Sequence, residues 1–181
     1  MNAPIVTLTG PPGSGKSTAG RKAAGRLHLA FVSAGEAFRA EASRRGMDLA
    51  SFSRYAEEHP EVDKALDERM VGEATSERLL EGRITGALLR RRGMPVIYLV
   101  VTAREDVRVA RLAGRDRLPL DATRQLTRAR EASERDRYRR YYGIDLDREP
   151  ADLVVDSSLL DPDAVAHRLV DFVTARREHR L

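Results

Sequence analysis

The chain has 181 residues and a formal net charge of +4, and 41% of its residues are hydrophobic, enough for a domain with a buried core. It contains no cysteine, which excludes disulfide scaffolds, zinc ribbons, iron–sulfur clusters and thiol catalysis. The longest apolar stretch, 94–103, is too short to span a bilayer, and no basic segment precedes the first predicted strand. We therefore expect a single cytoplasmic domain over residues 1–181, without a signal peptide or a membrane partner.

Strands alternate with helices in the pattern of apolar runs and turn residues. Short apolar or β-branched runs predict five strands, at 5–9, 29–32, 78–81, 95–102 and 152–155. Helices are predicted at 16–27, 36–45, 104–114, 121–142 and 161–177, and the polar segment 48–80 is predicted to hold two short helices separated at Pro60. Because this alternation is typical of parallel sheets covered on both faces, we predict a doubly wound α/β fold.

A glycine-rich turn joins the first predicted strand to the first predicted helix. Residues 10–17 fit the pattern G-x-x-x-x-G-K-[ST], in which backbone N–H groups and a helix N-terminus face one set of phosphate oxygens. In such a loop Lys16 reaches the β- and γ-phosphates, and the Ser17 hydroxyl is a ligand for Mg²⁺. We therefore expect ATP and Mg²⁺ as cofactors. The residues of this motif are Gly10, Pro11, Pro12, Gly13, Ser14, Gly15, Lys16 and Ser17.

Other classes of phosphate-loop protein fit the sequence less well. The chain has only three lysines and none follows an asparagine or a threonine, so the N-K-x-D-type motif of regulatory GTPases is absent. The chain is short for a motor ATPase with its own lid domain, and it lacks the Gly-Gly-Gly run of shikimate kinases. The class of phosphate-loop protein that remains is a kinase that acts on another small molecule.

Two further motifs follow the second and third predicted strands. A turn of small residues at 33–35 opens a helix that carries Arg39 one turn later, which suits a second phosphate group. Glu81 ends the third strand, where an acid can hold a Mg²⁺-bound water beside the phosphate loop, and Arg83 would project into the same crevice. Asp63 and Asp67 are spaced i, i+4, and we expect them on a solvated face.

Arginine makes up 29 of the 32 basic residues, and its distribution is uneven. Segment 104–140 holds 12 arginines and seven acidic residues, so it carries +5 while the rest of the chain carries −1. GC-rich codon usage would spread arginine evenly, whereas a guanidinium grips phosphate oxygens through paired hydrogen bonds. A nucleic-acid surface is the competing interpretation, but few aromatic side chains are present to stack on bases.

Helical periodicity divides these arginines among faces. Arg111 and Arg115 are spaced i, i+4 and share one face of their helix. Two stripes run along helix 121–142: an inner stripe of Arg130, Arg137 and Tyr141, and an outer stripe of Arg124, Arg128, Arg135 and Arg139. We expect the inner stripe to face the substrates and the outer stripe to be solvated and paired with Glu131 and Glu134.

The chain resembles the archaeal-type cytidylate kinase family, within the nucleoside monophosphate kinases. The matching stretches are GPPGSGKST (10–18), FVSAGEAFR (31–39), MDLASFSRYAEEHPEVDKALDER (47–69), LEGRITG (80–86), RYRRYYGIDLD (137–147) and DLVVDSS (152–158). The resemblance implies transfer of the ATP γ-phosphoryl group to CMP or dCMP. It also implies a five-stranded parallel core with a helical acceptor insert at about 33–80 and a short lid at about 115–120.

The resemblance also assigns roles to matching residues. It implies that Thr18 joins residues 10–17 in binding ATP. It also implies acceptor binding by Ser33, Gly35, Arg39, Gly82 and Arg83. Catalytic roles fall to Lys16, Arg83, Arg111, Arg115, Arg130 and Arg137, and metal binding falls to Ser17 and Glu81. The partner is then a small nucleotide, with no nucleic acid and with the chain acting as a monomer. Two alternatives stay open: another acceptor, such as UMP or a modified cytidine nucleotide, or a regulatory or nucleic-acid-binding ATPase.

Overall fold

The computed structural model describes residues 3–178, so the ends of the predicted domain, 1–2 and 179–181, lie outside the described residues. In the described part, five parallel strands form one sheet in the order β2-β3-β1-β4-β5. The strands are β1 Ile5–Thr9, β2 Ala30–Ser33, β3 Arg78–Glu81, β4 Val96–Thr102 and β5 Leu153–Asp156. Each begins and ends within about one residue of its predicted bounds, and the doubly wound parallel fold is confirmed.

Helices connect the strands and cover both faces of the sheet. Their bounds are α1 Lys16–Arg26, α2 Ala34–Arg44, α3 Leu49–Glu58, α4 Pro60–Gly72, α5 Thr85–Arg91, α6 Glu105–Asp116, α7 Leu120–Tyr142 and α8 Pro162–Glu178. The sequence did not predict α5. Its residues 85–89 are all buried, so the segment lacks the alternation of apolar and polar faces by which a surface helix is found.

The sheet separates two apolar clusters. Val6 and Leu8 of β1 face α1 and α8, and this cluster is the larger one. Leu80 of β3 faces the opposite side and packs with Met70 of α4 and Leu89 of α5. Because successive strand residues point to opposite faces, the short apolar strands contribute to both clusters.

Helices α2, α3 and α4 lie between β2 and β3 and correspond to the predicted acceptor insert. They have a small apolar cluster of their own around Phe52, which is fully buried with Ala56 and packs against Phe38. Proline at the first turn of α4 starts that helix directly after α3 ends, as the break at Pro60 predicts. The insert is therefore a compact helical unit beside the carboxyl ends of β2 and β3.

The connection between α6 and α7 is shorter than predicted. Helix α6 continues to Asp116 and α7 begins at Leu120, so residues 117–119 alone form the turn, with Arg117 in the left-handed conformation at a φ of 55°. Residues 115–120 are all exposed. Among the helices of residues 3–178, we find none with the length and apolar character needed to cross a membrane.

Candidate active site

The phosphate loop lies at the carboxyl edge of the sheet, between β1 and α1. Two of its glycines are required by close backbone approach. A Cβ at Gly10, whose φ is 151°, would lie 1.9 Å from the carbonyl oxygen of Val101, and a Cβ at Gly13, whose φ is 79°, would lie 2.6 Å from that of Arg108. Glycine is therefore the residue that lets the loop pass against β4 and α6. The loop ends at Gly15, which caps α1.

Side chains of α6 and of the segment after β5 hold this loop through hydrogen bonds to its backbone. Arg111 donates to the hydroxyl of Ser157 at 2.9 Å, and that hydroxyl donates to the carbonyl oxygen of Ser14 at 2.7 Å. Arg108, which is 8% exposed, donates to the carbonyl oxygen of Pro12 at 3.1 Å and pairs with Glu131 of α7. Arg111 thus lies beside the loop, and Arg108, which was not singled out from the sequence, lies there as well.

Three functional side chains converge on Glu81, the last residue of β3. The hydroxyl of Ser33 donates to its carboxylate at 2.5 Å, the hydroxyl of Ser17 donates at 3.3 Å, and Lys16 Nζ lies 3.8 Å away. Glu81 is 3% exposed, so its charge is shielded from solvent. Burial lowers the pKa of Lys16 below its usual value, and the charge of Glu81 opposes this effect. The structure therefore brings together the predicted phosphate-loop and metal-binding residues.

The turn of small residues at 33–35 opens α2. Ser33 caps this helix by accepting from the backbone N–H of Glu36, and a Cβ at Gly35 would lie 3.5 Å from a terminal nitrogen of Arg39. Arg39 itself is exposed. Gly82 sits where a Cβ would lie 2.3 Å from the hydroxyl of Thr85, so the turn after β3 leaves no room for a side chain.

Arg83 and Arg130 meet at one carboxylate. The Nε atoms of these arginines each donate to Glu134 at 2.8 Å, one to each carboxylate oxygen. Burial alone would raise the pKa of Glu134, but the charges of Arg83 and Arg130 outweigh burial and lower it to about 2. The prediction that Glu134 pairs with the outer stripe is wrong. Its carboxylate lies on the inner side of α7 instead.

Two acids of α4 pack against α7, Asp63 buried and Asp67 half-buried, so the expectation that they are solvated is wrong. Asp63 is 8% exposed and accepts from Arg137 at 2.5 Å. Asp67 accepts from the hydroxyl of Tyr142 at 2.9 Å. Burial raises the pKa of Asp67 to about 7, and the charge of Asp63 adds to this shift.

The remaining predicted arginines lie apart from this cluster. Arg115 is exposed and forms two hydrogen bonds to the adjacent Asp116, at 2.7 and 2.8 Å. The outer stripe is largely exposed and paired with acids, as Arg128 is with Glu105. The structure therefore places Arg83, Arg130 and Arg137 inward and leaves Arg115 at the surface.

Sequence reasoning missed three residues that shape the site: Arg108, Glu134 and Ser157. For Glu134 a signal existed, because Arg130 precedes it at i, i−4 on the predicted inner face. Arg108 contacts Pro12, which is 96 positions away, and Ser157 contacts Ser14, which is 143 positions away. No local spacing could reveal these two contacts.

The charges around the crevice suit two phosphate groups. The hydroxyl of Thr9, at the end of β1, donates to the carbonyl oxygen of Arg83 at 2.9 Å, which places the cluster of Arg83, Glu134 and Arg130 beside the phosphate loop that follows β1. A loop that surrounds one phosphate chain, next to guanidinium groups that can hold another, is arranged for phosphoryl transfer between them.

Comparisons with known proteins agree with this arrangement. A family model described as an AAA domain matches residues 9–144. The cytidylate kinase of Archaeoglobus fulgidus is 35% identical over 175 residues, covering 95% of this chain and 96% of that protein. The cytidylate kinase of Methanoculleus marisnigri is 40% identical over 163 residues, covering 88% of each. A solved shikimate kinase from Bacteroides thetaiotaomicron shares the fold, with a TM-score of 0.62 and 15% identity over 93% of this chain and 97% of that one. The chain belongs to the cytidylate kinase family of phosphate-loop kinases.

Proposed function

We propose that the chain transfers the γ-phosphoryl group of ATP to the phosphate of CMP or dCMP, with ADP and the nucleoside diphosphate as products. The observation that carries the proposal is the convergence of the phosphate loop and the Arg83–Glu134–Arg130 cluster on one crevice in a member of the cytidylate kinase family. One side of this crevice suits the phosphates of ATP, and the other suits the acceptor phosphate.

The proposed rate enhancement comes from positioning and electrostatics. Lys16 would bind the β- and γ-phosphates, and Arg39 and Arg83 would bind the acceptor phosphate. Arg111, Arg115, Arg130 and Arg137 would stabilise the transferred group or order the segments around it. The nucleophile is an oxygen of the acceptor phosphate. Because the second pKa of a phosphate monoester is about 6, this oxygen is already deprotonated at neutral pH and needs no general base.

The donor set at Glu81 fits Mg²⁺. The hydroxyl of Ser17 and the carboxylate of Glu81 are hard oxygen donors that lie 3.3 Å apart, beside the residue that binds the β- and γ-phosphates. We propose that Ser17 contacts the ion directly and that Glu81 holds one of its waters. When bound, the ion neutralises charge on the phosphate oxygens. Ser33 keeps the Glu81 carboxylate oriented through its own hydrogen bond.

The organisation of the chain follows from the same proposal. Residues 1–181 would form one kinase domain, in which the insert at 33–80 binds the acceptor and the segment 115–120 closes over the phosphates. We propose a free nucleotide rather than a nucleic acid as the partner, because the exposed arginines of the outer stripe are already paired with acids. The pairs are Arg124 with Asp121, Arg128 with Glu105 and Arg139 with Asp145. We propose that the chain acts as a monomer.

A coupled assay of ADP formation tests the proposal. Purified protein is given ATP and Mg²⁺ with CMP, dCMP, UMP, AMP or shikimate, the last being a hydroxyl acceptor for which fold-related enzymes are named. We expect turnover with CMP and dCMP to exceed turnover with the other acceptors. Preference for UMP would move the assignment to another acceptor, and ADP formation independent of any acceptor would overturn the kinase assignment.

A further inference from the structure

Glu134 is an acid beside a crevice that must attract phosphate groups. A carboxylate cannot bind a phosphate group there, because both are negatively charged. Glu134 lies in the middle of α7 and is 4% exposed. A carboxylate at this place repels phosphate and costs free energy to bury unless cations pair with it. Its role must therefore lie in its contacts with protein groups.

Those contacts use one edge of each guanidinium. Arg83 and Arg130 both reach Glu134 through Nε, and each uses a different carboxylate oxygen. An arginine has four further N–H donors on its two terminal nitrogens. Among residues 3–178, we find no hydrogen-bond partner for the terminal nitrogens of either arginine, and the side chains are 17% and 49% exposed. The donors that suit a phosphate therefore stay free.

Arg83 is also fixed through its backbone. The hydroxyl of Thr9, at the end of β1, donates to the carbonyl oxygen of Arg83 at 2.9 Å. The residue is thus held on one side by the strand that leads into the phosphate loop and on the other side by α7. Arg130 has the same carboxylate as its anchor and lies one turn before Glu134.

The electrostatic arrangement agrees with this geometry. Lys16 has Glu81 beside it. Arg83 and Arg130 share the carboxylate of Glu134, so without it the charges of these two arginines would lie close together. The low pKa of Glu134, about 2, keeps its carboxylate charged throughout the physiological range. Its negative charge offsets the mutual repulsion of these cations and allows both arginines to remain ordered before substrate arrives.

We propose that Glu134 is a positioning residue, which holds Arg83 and Arg130 by their Nε edges so that their terminal nitrogens face the acceptor phosphate. The inference rests on the proposed function, in which Arg83 binds the acceptor phosphate, and it adds Arg130 to the groups that contact this phosphate. Glu134 makes no contact with substrate. Its contribution is a fixed distance and orientation between two donors that come from different parts of the chain.

Two substitutions separate position from charge. Glu134→Gln removes the charge and leaves one oxygen acceptor for two Nε donors. Glu134→Asp keeps the charge, which avoids burying uncompensated arginines, but its shorter side chain reaches both Nε atoms poorly. Glu105→Gln is the matched control, because Glu105 pairs with Arg128 of the exposed outer stripe. Thermal unfolding establishes which variants are folded.

Turnover and anion binding are then measured in parallel. We expect kcat with CMP to fall about 100-fold in Glu134→Gln and at least about 10-fold in Glu134→Asp, since misplacing a reactive contact by about 1 Å costs this much. Inorganic phosphate, titrated calorimetrically, should bind Glu134→Gln at least about threefold more tightly than the parent chain because an opposing charge is gone. Its affinity for Glu134→Asp should stay within about twofold. The control should match the parent chain in both measurements.

If a folded Glu134→Gln variant lost turnover and also bound phosphate more weakly than the parent chain, the proposal would be contradicted. That outcome would indicate a general loss of structure in the site. Parental kcat and KM in Glu134→Asp would show that charge alone is needed, and this also overturns it. If the parent chain did not phosphorylate CMP, the proposed function would fail by itself. Phosphate titration would still test Glu134, because equal affinity in the parent chain and in Glu134→Gln would remove the residue from the site.

Discussion

Two opposing effects act on the pKa of the Lys16 ammonium group. Burial favours its neutral form and Glu81 favours its charged form, with Nζ 3.8 Å from the carboxylate. The side chain of Lys16 is 14% exposed, and because a largely desolvated ion pair contributes little to stability, we expect its charge to act on bound phosphates. We therefore expect Lys16 to matter more for function than for folding.

Substitution of Lys16 should separate activity from stability. We expect Lys16→Ala to lower kcat at least about 100-fold, because a preorganised charge at the transferred phosphate is lost. The melting temperature should stay close to that of the parent chain, as measured by circular dichroism. Lys22→Ala is the control, since Lys22 lies on the same helix and pairs with Asp163 at the surface. Near-normal turnover by Lys16→Ala would refute the assignment of the loop.

Arg83 and Arg39 should not tolerate replacement by lysine. A point charge cannot reproduce two parallel hydrogen bonds, and a lysine side chain in place of Arg83 lacks the Nε–H group that binds Glu134. We expect Arg83→Lys and Arg39→Lys each to raise the KM for CMP and lower kcat. The combined loss should be about 1.5–3 kcal/mol for each charge-assisted contact.

Steady-state kinetics with varied CMP measures this loss. Arg128→Lys serves as the control, because Arg128 lies on the outer stripe and pairs with Glu105. If Arg83→Lys and Arg39→Lys leave the kinetics of the acceptor unchanged, the acceptor phosphate binds elsewhere.

At the scale of elements, α6 and α7 pack together beside the phosphate loop. Their inner sides are tied down by the Arg108–Glu131 pair, whereas the turn at 117–119 is exposed. Arg115 is turned toward Asp116 and must leave that carboxylate before it can reach a phosphate. We therefore predict that substrates reorder the segment 115–120 of this helix pair.

Limited proteolysis with trypsin tests this movement. We expect ATP alone to protect the bonds after Arg115 and Arg117 less than a bisubstrate analogue does, because the positive charges around the lid need both phosphate groups to come together. Cleavage after Arg92, in the exposed turn that follows α5, is the internal control. Equal protection by ATP and by the analogue would show that closure needs one phosphate chain only.

At the scale of the molecule, the insert is held to α7 by buried polar contacts as well as by apolar packing. Asp63 and Asp67 of α4 reach Arg137 and Tyr142 of α7. Val71 of α4 packs in the cluster that contains Tyr142. Because the pKa of Asp67 is raised to about 7, this attachment depends on pH.

The sign of the dependence follows from proton linkage. Between its unfolded pKa of about 4 and its folded pKa of about 7, Asp67 binds a proton in the folded state but not in the unfolded state. The free energy of unfolding is therefore expected to fall as pH rises from about 5 to about 8. Each pKa unit corresponds to about 1.4 kcal/mol, so the contribution is on the order of 1–3 kcal/mol.

Urea unfolding at about pH 5 and at about pH 8 measures the contribution of Asp67 to the free energy of unfolding. Asp67→Asn should remove the corresponding part of the change, whereas Asp136→Asn, at an exposed position of α7, should keep it. An identical change with pH in Asp67→Asn and in the parent chain would contradict the raised pKa. Comparing the variant with the parent chain cancels the contributions of other titrating groups, including the lowered pKa of Lys16.

The sequence by itself determined the features that depend on neighbours along the chain. The phosphate loop needs glycines, Lys16 and Ser17 at fixed spacing between a strand and a helix, and all of these belong to one segment of 14 residues from Ile5 to Thr18. The end of β3 likewise places Glu81 and Arg83 in sequence order at the carboxyl edge. The bounds of the strands and their parallel direction follow from the same local patterns.

Only the tertiary structure decided which charged groups meet. Glu134 binds Arg83 across 51 positions, and Tyr142 binds Asp67 across 75 positions. Helical periodicity predicted which residues share a stripe of α7, but not that Glu134 faces inward or that Asp63 and Asp67 pack against α7. The physical reason is that burial depends on what packs against a helix face, and that partner comes from distant parts of the chain. The same dependence hid α5, whose buried residues carry no periodic signal until the sheet and α7 surround them.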